Sequence, residues 1–276
     1  MRHWLLIISV VVVLTGCDEA IQLDLKQTPP RVVIEGQVTD IKGLQYVRVS
    51  HSQDFYLSGG TQRISNATVT ITDNTGESIQ LVHNPNGNED SVGYYLPSKG
   101  YVGVIDRIYT LNVELDGTTY TASDTLHPVT TIDSLGYQTN RFRVRDDPSD
   151  GKIWELLMYA KEPQGTDDNY LFKFYRNDSL IYTDDTDVYV FNDYGIGERI
   201  DGVSSPVYYA PGDTARVEMY SISHDGYLFY SDLSTIMNSD GGMFSPPPAN
   251  PRSNISGGAL GFFQVSSMTS AETTLK

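Results

Sequence analysis

Alternation of apolar and polar residues with a period of two is the feature that most limits what this chain can fold into. It recurs from residue 31 to residue 124, and no segment in that interval shows helical periodicity. The segment 67–73, for example, places Val69 and Ile71 on one face and threonines on the other. Such alternation is typical of strands with one buried face. We therefore predict an N-terminal β-sandwich over residues 31–126, immunoglobulin-like or prealbumin-like in type.

The rest of the chain is also rich in strand patterns, although they are less regular. We predict a second strand-rich domain over residues 127–276, with its last strand at 259–265. One short helix is predicted near 224–238, because apolar residues there keep helical spacing and Ser223 is a suitable N-cap. The predicted fold class is thus mostly β, with two domains and one short helix.

The N-terminal residues have the features of a bacterial export signal. A short basic start is followed by the apolar run 4–14, which is too short to cross a bilayer. The run ends in Leu-Thr-Gly followed by Cys17, the pattern that lipoprotein processing cuts before the cysteine. We predict a signal peptide over residues 1–16, acyl chains such as palmitate on Cys17, and a tether over 17–30. A chain with several acyl groups is anchored to the membrane and does not span it.

The residues around the anchor indicate where the protein lies. Cys17 is the only cysteine, so an intramolecular disulfide is excluded, and its lipidation excludes a cysteine nucleophile. Asp18 and Glu19 directly after it resemble the signal that sends lipoproteins to the outer face of the outer membrane. The alternative interpretation is a hydrophilic tether. We expect an outer-membrane location, with the cell surface favoured over the periplasmic face.

The charge balance excludes one class of partner. The chain has 35 Asp and Glu against 19 Lys and Arg, a net charge of −16. Phosphate backbones repel such a surface, so nucleic acid is not expected as a partner.

No catalytic motif is present in the sequence. The histidines outside the signal peptide, at 51, 83, 127 and 224, have no metal-ligand spacing. The chain contains no phosphate-binding loop, dinucleotide fingerprint or nucleophile elbow. We predict no catalytic residues and no cofactor. A hydrolase that uses two carboxylates from distant loops remains an alternative.

Two acidic clusters are candidates for calcium-binding loops. The segment 146–151 begins like one, but Pro148 stands at the third position and Leu157 at the twelfth. Asp184, Asp185 and Asp187 have no glycine turn among them. Polar hairpin turns explain both clusters better, and no metal site is predicted.

The segment 241–258 is the predicted contact site. A long loop without secondary structure is uncommon in a compact domain and is usually functional or disordered. Its proline run suits an extended ridge that a partner binds, or alternatively a cover over a sheet edge. The candidate binding residues are Ser245, Pro246, Pro247, Pro248, Asn250, Asn254, Gly257 and Gly258.

The 19 tyrosines suit sugar stacking, peptide grooves and interfaces, but tyrosine is also a common strand residue.

Several segments in this order resemble one known family. They are Gly16-Cys17, Val32–Gly36, Asn66–Asp73, Tyr109–Val113, Thr131–Leu135 and Asn254–Phe263, together with the aromatic helix. The chain resembles the Bacteroidetes lipoproteins grouped as domain of unknown function forty-two forty-nine. The resemblance covers nearly the whole chain after Cys17. It implies an accessory role beside a TonB-dependent outer-membrane transporter, and it supplies no catalytic residues.

These observations leave three functional hypotheses. The leading one is a non-enzymatic lipoprotein that associates with a TonB-dependent transporter and helps to capture or gate a nutrient. The second is a surface glycan or peptide hydrolase that uses loop carboxylates. The third is a structural or adhesion β-protein.

Overall fold

The structure, a computed structural model, describes residues 29–53, 60–146, 149–181, 188–238 and 249–276. These ranges contain 16 strands and two α-helices, so the prediction of a mostly β fold is confirmed. The strands form sheets of eight, five and three members. The predicted lipid attachment at Cys17 lies outside the described residues.

The first sheet contains eight strands. They are β1 (Val32–Thr39), β2 (Tyr46–His51), β3 (Thr68–Asp73), β4 (Ser78–His83), β5 (Tyr94–Pro97), β6 (Ile108–Leu115), β7 (Thr118–Thr125) and β15 (Leu260–Ser266). Their spatial order is β15-β1-β2-β5-β4-β3-β6-β7. Neighbouring strands are antiparallel, except that β15 runs parallel to β1.

The alternation in the sequence sets the faces of this sheet. Val69 and Ile71 are fully buried, as are alternate residues of β6 such as Val113. Asp116 and Gly117 connect β6 to β7 with φ of 49° and 81°. Positive φ at both positions is the requirement of a type I′ hairpin turn, which Asp-Gly favours. The predicted strands and this hairpin are confirmed.

The first sheet curls until its two edge strands, β15 and β7, come together. The backbone N–H of Val265 donates to Oδ2 of Asp124 at 2.9 Å. The N–H of Ser256 donates to the carbonyl of Thr121 at 2.8 Å. The first hydrophobic core fills the resulting barrel-like sheet and includes residues of both edges.

The second strand-rich region forms two further sheets. The five-stranded one contains β10 (Asn169–Arg176), β11 (Ser179–Leu180), β12 (Tyr189–Asn192), β14 (Thr214–Ser221) and β16 (Met268–Thr274). The three-stranded one contains β8 (Ile132–Thr139), β9 (Trp154–Lys161) and β13 (Arg199–Tyr209). Leu156 of β9, Phe172 of β10 and Val217 of β14 belong to one shared core. The two sheets therefore pack on each other through their buried faces.

The C-terminal strands correct one sequence-based expectation. The segment 259–265 was expected to close the second domain, but β15 pairs with β1 over seven register positions and joins the first core. Only β16, which follows after Ser267, returns to the second region and pairs with β14. Local periodicity identifies β15 as a strand but carries no information about its partner. The division into domains over residues 31–126 and 127–276 stays a prediction.

Two helices accompany the sheets. The short α1 (Arg141–Asp146) was not predicted. The longer α2 (His224–Met237) confirms the predicted helix, and the Ser223 hydroxyl accepts a hydrogen bond from the N–H of Gly226. An oxygen at the N-cap satisfies one of the free N–H groups of the first turn.

Gly261 of β15 is required by the close approach of β1. Its φ is +98°, and a Cβ there would lie 2.0 Å from the carbonyl oxygen of Ile34. We expect Gly261→Ala to lower the free energy of unfolding by about 3 kcal/mol or more, because backbone strain and overlap add. Urea denaturation measures this change.

Gly258→Ala is the matched control. Gly258 also has a positive φ, +79°, but a Cβ there meets nothing within 4 Å. Gly258→Ala should lower the free energy of unfolding by only about 1–2 kcal/mol, the penalty of a left-handed backbone. Equal losses in the two variants would contradict the parallel β1–β15 pairing.

Candidate binding groove

A groove of about 400 Å³ lies between helix α2 and the outer face of the first sheet. The helix contributes Phe229, Tyr230 and Leu233, which share one face at helical spacing. The sheet contributes alternate residues of β1 and β15, namely Val33, Glu35, Gln37, Leu260, Phe262 and Gln264. The residues between them, such as Ile34 and Phe263, point into the first core. One strand pair thus supplies both the barrel core and the groove floor.

Aromatic and amide contacts hold α2 over this floor. The rings of Phe229 and Phe262 stack with centroids 4.9 Å apart. The Tyr230 hydroxyl donates to Oε1 of Gln264 at 2.6 Å. Burial, and then the neighbouring Tyr46 and Glu35, raise the pKa of Tyr230 well above its ordinary value. The phenol therefore stays neutral and keeps its proton for hydrogen bonding.

Asp124 fixes the N-terminal end of the same helix. Its buried carboxylate accepts hydrogen bonds from the Ser223 side chain and from the N–H groups of Thr125 and Val265. Ser223 is also the N-cap of α2, so one carboxylate connects β7, β15 and the start of the helix. Burial is the largest cause that raises the pKa of Asp124, to about 6.

The polar end of the groove is built around Glu35. Its carboxylate forms an ion pair with Arg48 of β2, and 38% of the Glu35 side chain remains exposed. Arg48 lies 5.8 Å from the ring centroid of Tyr94, which in turn contacts Tyr46 at the groove. Gln37 donates to the carbonyl of Leu44 through Nε2 at 2.9 Å. These contacts hold a carboxylate and amide groups in fixed positions beside aromatic faces.

An ion pair defines the rim. Arg252 Nε lies 2.9 Å from Oδ2 of Asp232 on α2, and the Arg252 backbone N–H donates to the same oxygen at 3.1 Å. This pair holds the chain after residue 248 against the helix. Asn250 and Pro251, directly before Arg252, consequently line the groove.

The predicted contact residues fall into different places. Residues 245–248, which include Ser245, Pro246, Pro247 and Pro248, lie outside the described ranges. Asn250 lines the groove, whereas the Asn254 side chain bonds the N–H and carbonyl of Phe263 at 3.0 and 2.8 Å. Gly257 and Gly258 form a turn whose Gly258 carbonyl accepts from Arg31. Contact at this segment stays a prediction, with Asn250 as its groove-facing residue.

Sequence reasoning missed the groove itself. It identified Tyr230 and Leu233 only as residues with helical spacing, and it did not single out Phe262 or Gln264. The alternation of β15 contains the signal, because Leu260, Phe262 and Gln264 form one face. That face can be recognised as part of a groove only when the pairing of β15 with β1 is known.

The two acidic clusters that were compared with calcium loops lie partly outside the described residues. Asp184, Asp185 and Asp187 are outside, and so are Asp147 and Pro148. Asp150 pairs with Lys152 at 2.9 Å and lies 3.7 Å from Arg143, so its charge is matched by side chains of the protein. Six tyrosines lie in β5, β10 and β13 and are buried or half-buried there, namely Tyr94, Tyr95, Tyr170, Tyr175, Tyr208 and Tyr209.

The fold and the groove define a mostly β protein that carries an aromatic groove on the outer face of a curled sheet. Residues 18–272 match the family described as Domain of unknown function (DUF4249), so the chain belongs to this family. The family resemblance of the sequence motifs is thereby confirmed. No curated protein matches the chain. Within the described ranges, no helix is long and apolar enough to cross a bilayer.

The buried Asp124 predicts a pH-dependent stability. Its pKa is about 6 in the fold, against an ordinary value of 3.8. Because the folded state holds the proton more tightly, the contribution of Asp124 is fully present below about pH 4 and is lost as the pH rises through 6. The stability difference between the wild type and Asp124→Asn should fall by about 2 kcal/mol between pH 4 and pH 7. Urea denaturation across this range measures it, and a constant difference would contradict the assignment.

Proposed function

We propose that this protein is a non-enzymatic binding lipoprotein of the outer membrane that holds a small nutrient in the groove between α2 and the first sheet. In this proposal it acts beside a TonB-dependent transporter and helps to capture or gate that nutrient. The observation that carries the proposal is the groove, in which rings of α2 and β15 meet the amide and carboxylate groups of β1.

The size and chemistry of the groove favour a small ligand. Its volume of about 400 Å³ lies within the roughly 300–1,000 Å³ that is typical of small-molecule sites. Such sites are mostly apolar, with a few polar groups that orient the ligand. Here Phe229 and Leu233 supply apolar surface, because the ring of Phe262 is itself buried against Phe229, and Glu35 supplies a hydrogen-bond acceptor. The matching ligand has a flat apolar face and a polar edge, as a sugar ring does.

The membrane location and the transporter partner rest on the sequence. The Cys17 lipidation pattern supports anchoring, Asp18 and Glu19 support the outer face, and the family resemblance supports the transporter. A lipid anchor would hold the groove close to the membrane in which such transporters lie. The groove and the anchor together therefore suit a capture role.

The groove does not favour a hydrolase. Glycoside hydrolysis needs two carboxyl groups on opposite sides of the scissile bond, about 5–10 Å apart. Among the described residues that line the groove, Glu35 is the one carboxylate, and Arg48 is paired with it. The affinity purification described below distinguishes the proposed binding role from an adhesion role.

The test is an affinity purification of the C-terminally tagged full chain from native outer membranes in mild detergent. We expect one TonB-dependent transporter in near-equal amount, identified by mass spectrometry. We also expect one class of small molecule to copurify with the wild type. Leu233→Glu, which places a charge in the groove, should lose the small molecule while keeping the transporter.

Thr235→Glu is the matched control, because Thr235 lies on the same helix but is exposed and outside the groove. This variant should behave like the wild type. Recovery of the lipoprotein alone, with neither transporter nor small molecule, would refute the proposal and favour the adhesion hypothesis.

A further inference from the structure

Three carboxylates converge at one end of the second strand-rich region. Glu162 follows β9, Asp168 precedes β10, and Asp193 follows β12. One oxygen atom from each lies within 4.8 Å of the other two. That separation is about twice the ~2.4 Å distance between Ca²⁺ and a coordinating oxygen, so a single ion fits among the three.

Hydrogen bonds fix the two loops that carry these groups, the β9–β10 connection with Glu162 and Asp168 and the loop after β12 with Asp193. The N–H of Asp168 donates to Oδ2 of Asp193, and the N–H of Asp193 donates to the carbonyl of Asp168, both at 3.0 Å. The Tyr170 hydroxyl donates to Oε1 of Glu162 at 3.0 Å. The carboxylates are therefore held together by the fold and do not meet by chance on flexible side chains.

Glu162 provides the independent indication of a ligand. The residue is 1% exposed, and its Oε2 is buried without a hydrogen-bond partner. A buried carboxylate oxygen without a partner is costly, and buried charges in proteins are normally paired or bound to a metal. Among the described residues, no Lys or Arg forms an ion pair with any of the three carboxylates.

The negative charges of Asp168 and Asp193 also make the ionised form of Glu162 unfavourable. Burial raises the pKa of Glu162, and the charges of Asp168 and Asp193 raise it further. The three negative charges therefore have no positive partner among the described residues, and a bound cation would supply one.

We propose that Glu162, Asp168 and Asp193 form a calcium-binding site. Ca²⁺ prefers carboxylate and other oxygen ligands in flexible geometry, whereas Zn²⁺ favours the histidine and thiol ligands that are absent from this cluster. The bound ion offsets the three negative charges and ties together the loops that flank β9, β10 and β12. This site is independent of the groove and of the proposed transport role.

Calcium titration of the full chain, after dialysis against a chelator, tests the site by calorimetry and thermal unfolding. We expect a Kd between about 10 μM and 1 mM, as in extracellular calcium modules and weak sensors. Calcium at a hundredfold excess over Kd should raise the Tm by about 5 °C or more. Mg²⁺ at the same concentration should give a much smaller rise, because it requires rigid octahedral geometry.

Glu162→Gln keeps the shape of the side chain and removes its charge. Without calcium this variant should be at least as stable as the wild type, because repulsion by Asp168 and Asp193 is relieved. Its calcium affinity should fall at least tenfold. Glu114→Gln, at an exposed position on β6, should keep the wild-type response.

Three results would overturn the proposal. They are the absence of calcium-dependent heat and Tm shift in the wild type, an equal response to Mg²⁺, and an unchanged calcium response in Glu162→Gln. The first and third results would leave Glu162 as a buried acid without a bound metal, and the second would show a cation site that does not select calcium.

Discussion

The position of β15 between β1 and β7 is the constraint on which the rest of the structure depends. On one side β15 joins β1 through a parallel ladder, which Gly261 permits by letting the backbone pass close to Ile34. On the other side the Asp124 carboxylate accepts the N–H of Val265 and closes the curled sheet. Because Asp124 also holds Ser223 at the start of α2, sheet closure and helix placement share one buried group.

The groove follows directly from that arrangement. Strand residues alternate between two faces, so β15 sends Phe263 and Val265 into the first core and Phe262 and Gln264 outward. Helix α2 then covers the outward face, with Phe229 stacked on Phe262. A loss of the β1–β15 pairing would remove the barrel core and the groove floor at the same time. Stability and binding are therefore linked in this fold.

Sequence patterns predict the local structure and miss the long-range contacts. The β6–β7 hairpin and the capped α2 are encoded by Asp116-Gly117 and by Ser223, within a few residues of where they act. The partner of β15 is nearly the full chain length away, and a period of two is the same for every possible partner. The acidic cluster shows the same limit, because Asp193 comes from a later loop than Glu162 and Asp168 and reaches them only through the pairing of β12 with β10. Asp150, from an acidic run that stands out in the sequence, is instead paired with Lys152.

The most direct test of the account is photo-crosslinking in intact cells, with a benzophenone amino acid in place of Asn250 at the groove rim. The same residue in place of Thr235, on the exposed side of α2, is the control. The account predicts a covalent adduct with the bound small molecule at position 250, and none at position 235. Equal adducts at both positions, or no adduct at position 250, would contradict the assignment of this groove as the binding site.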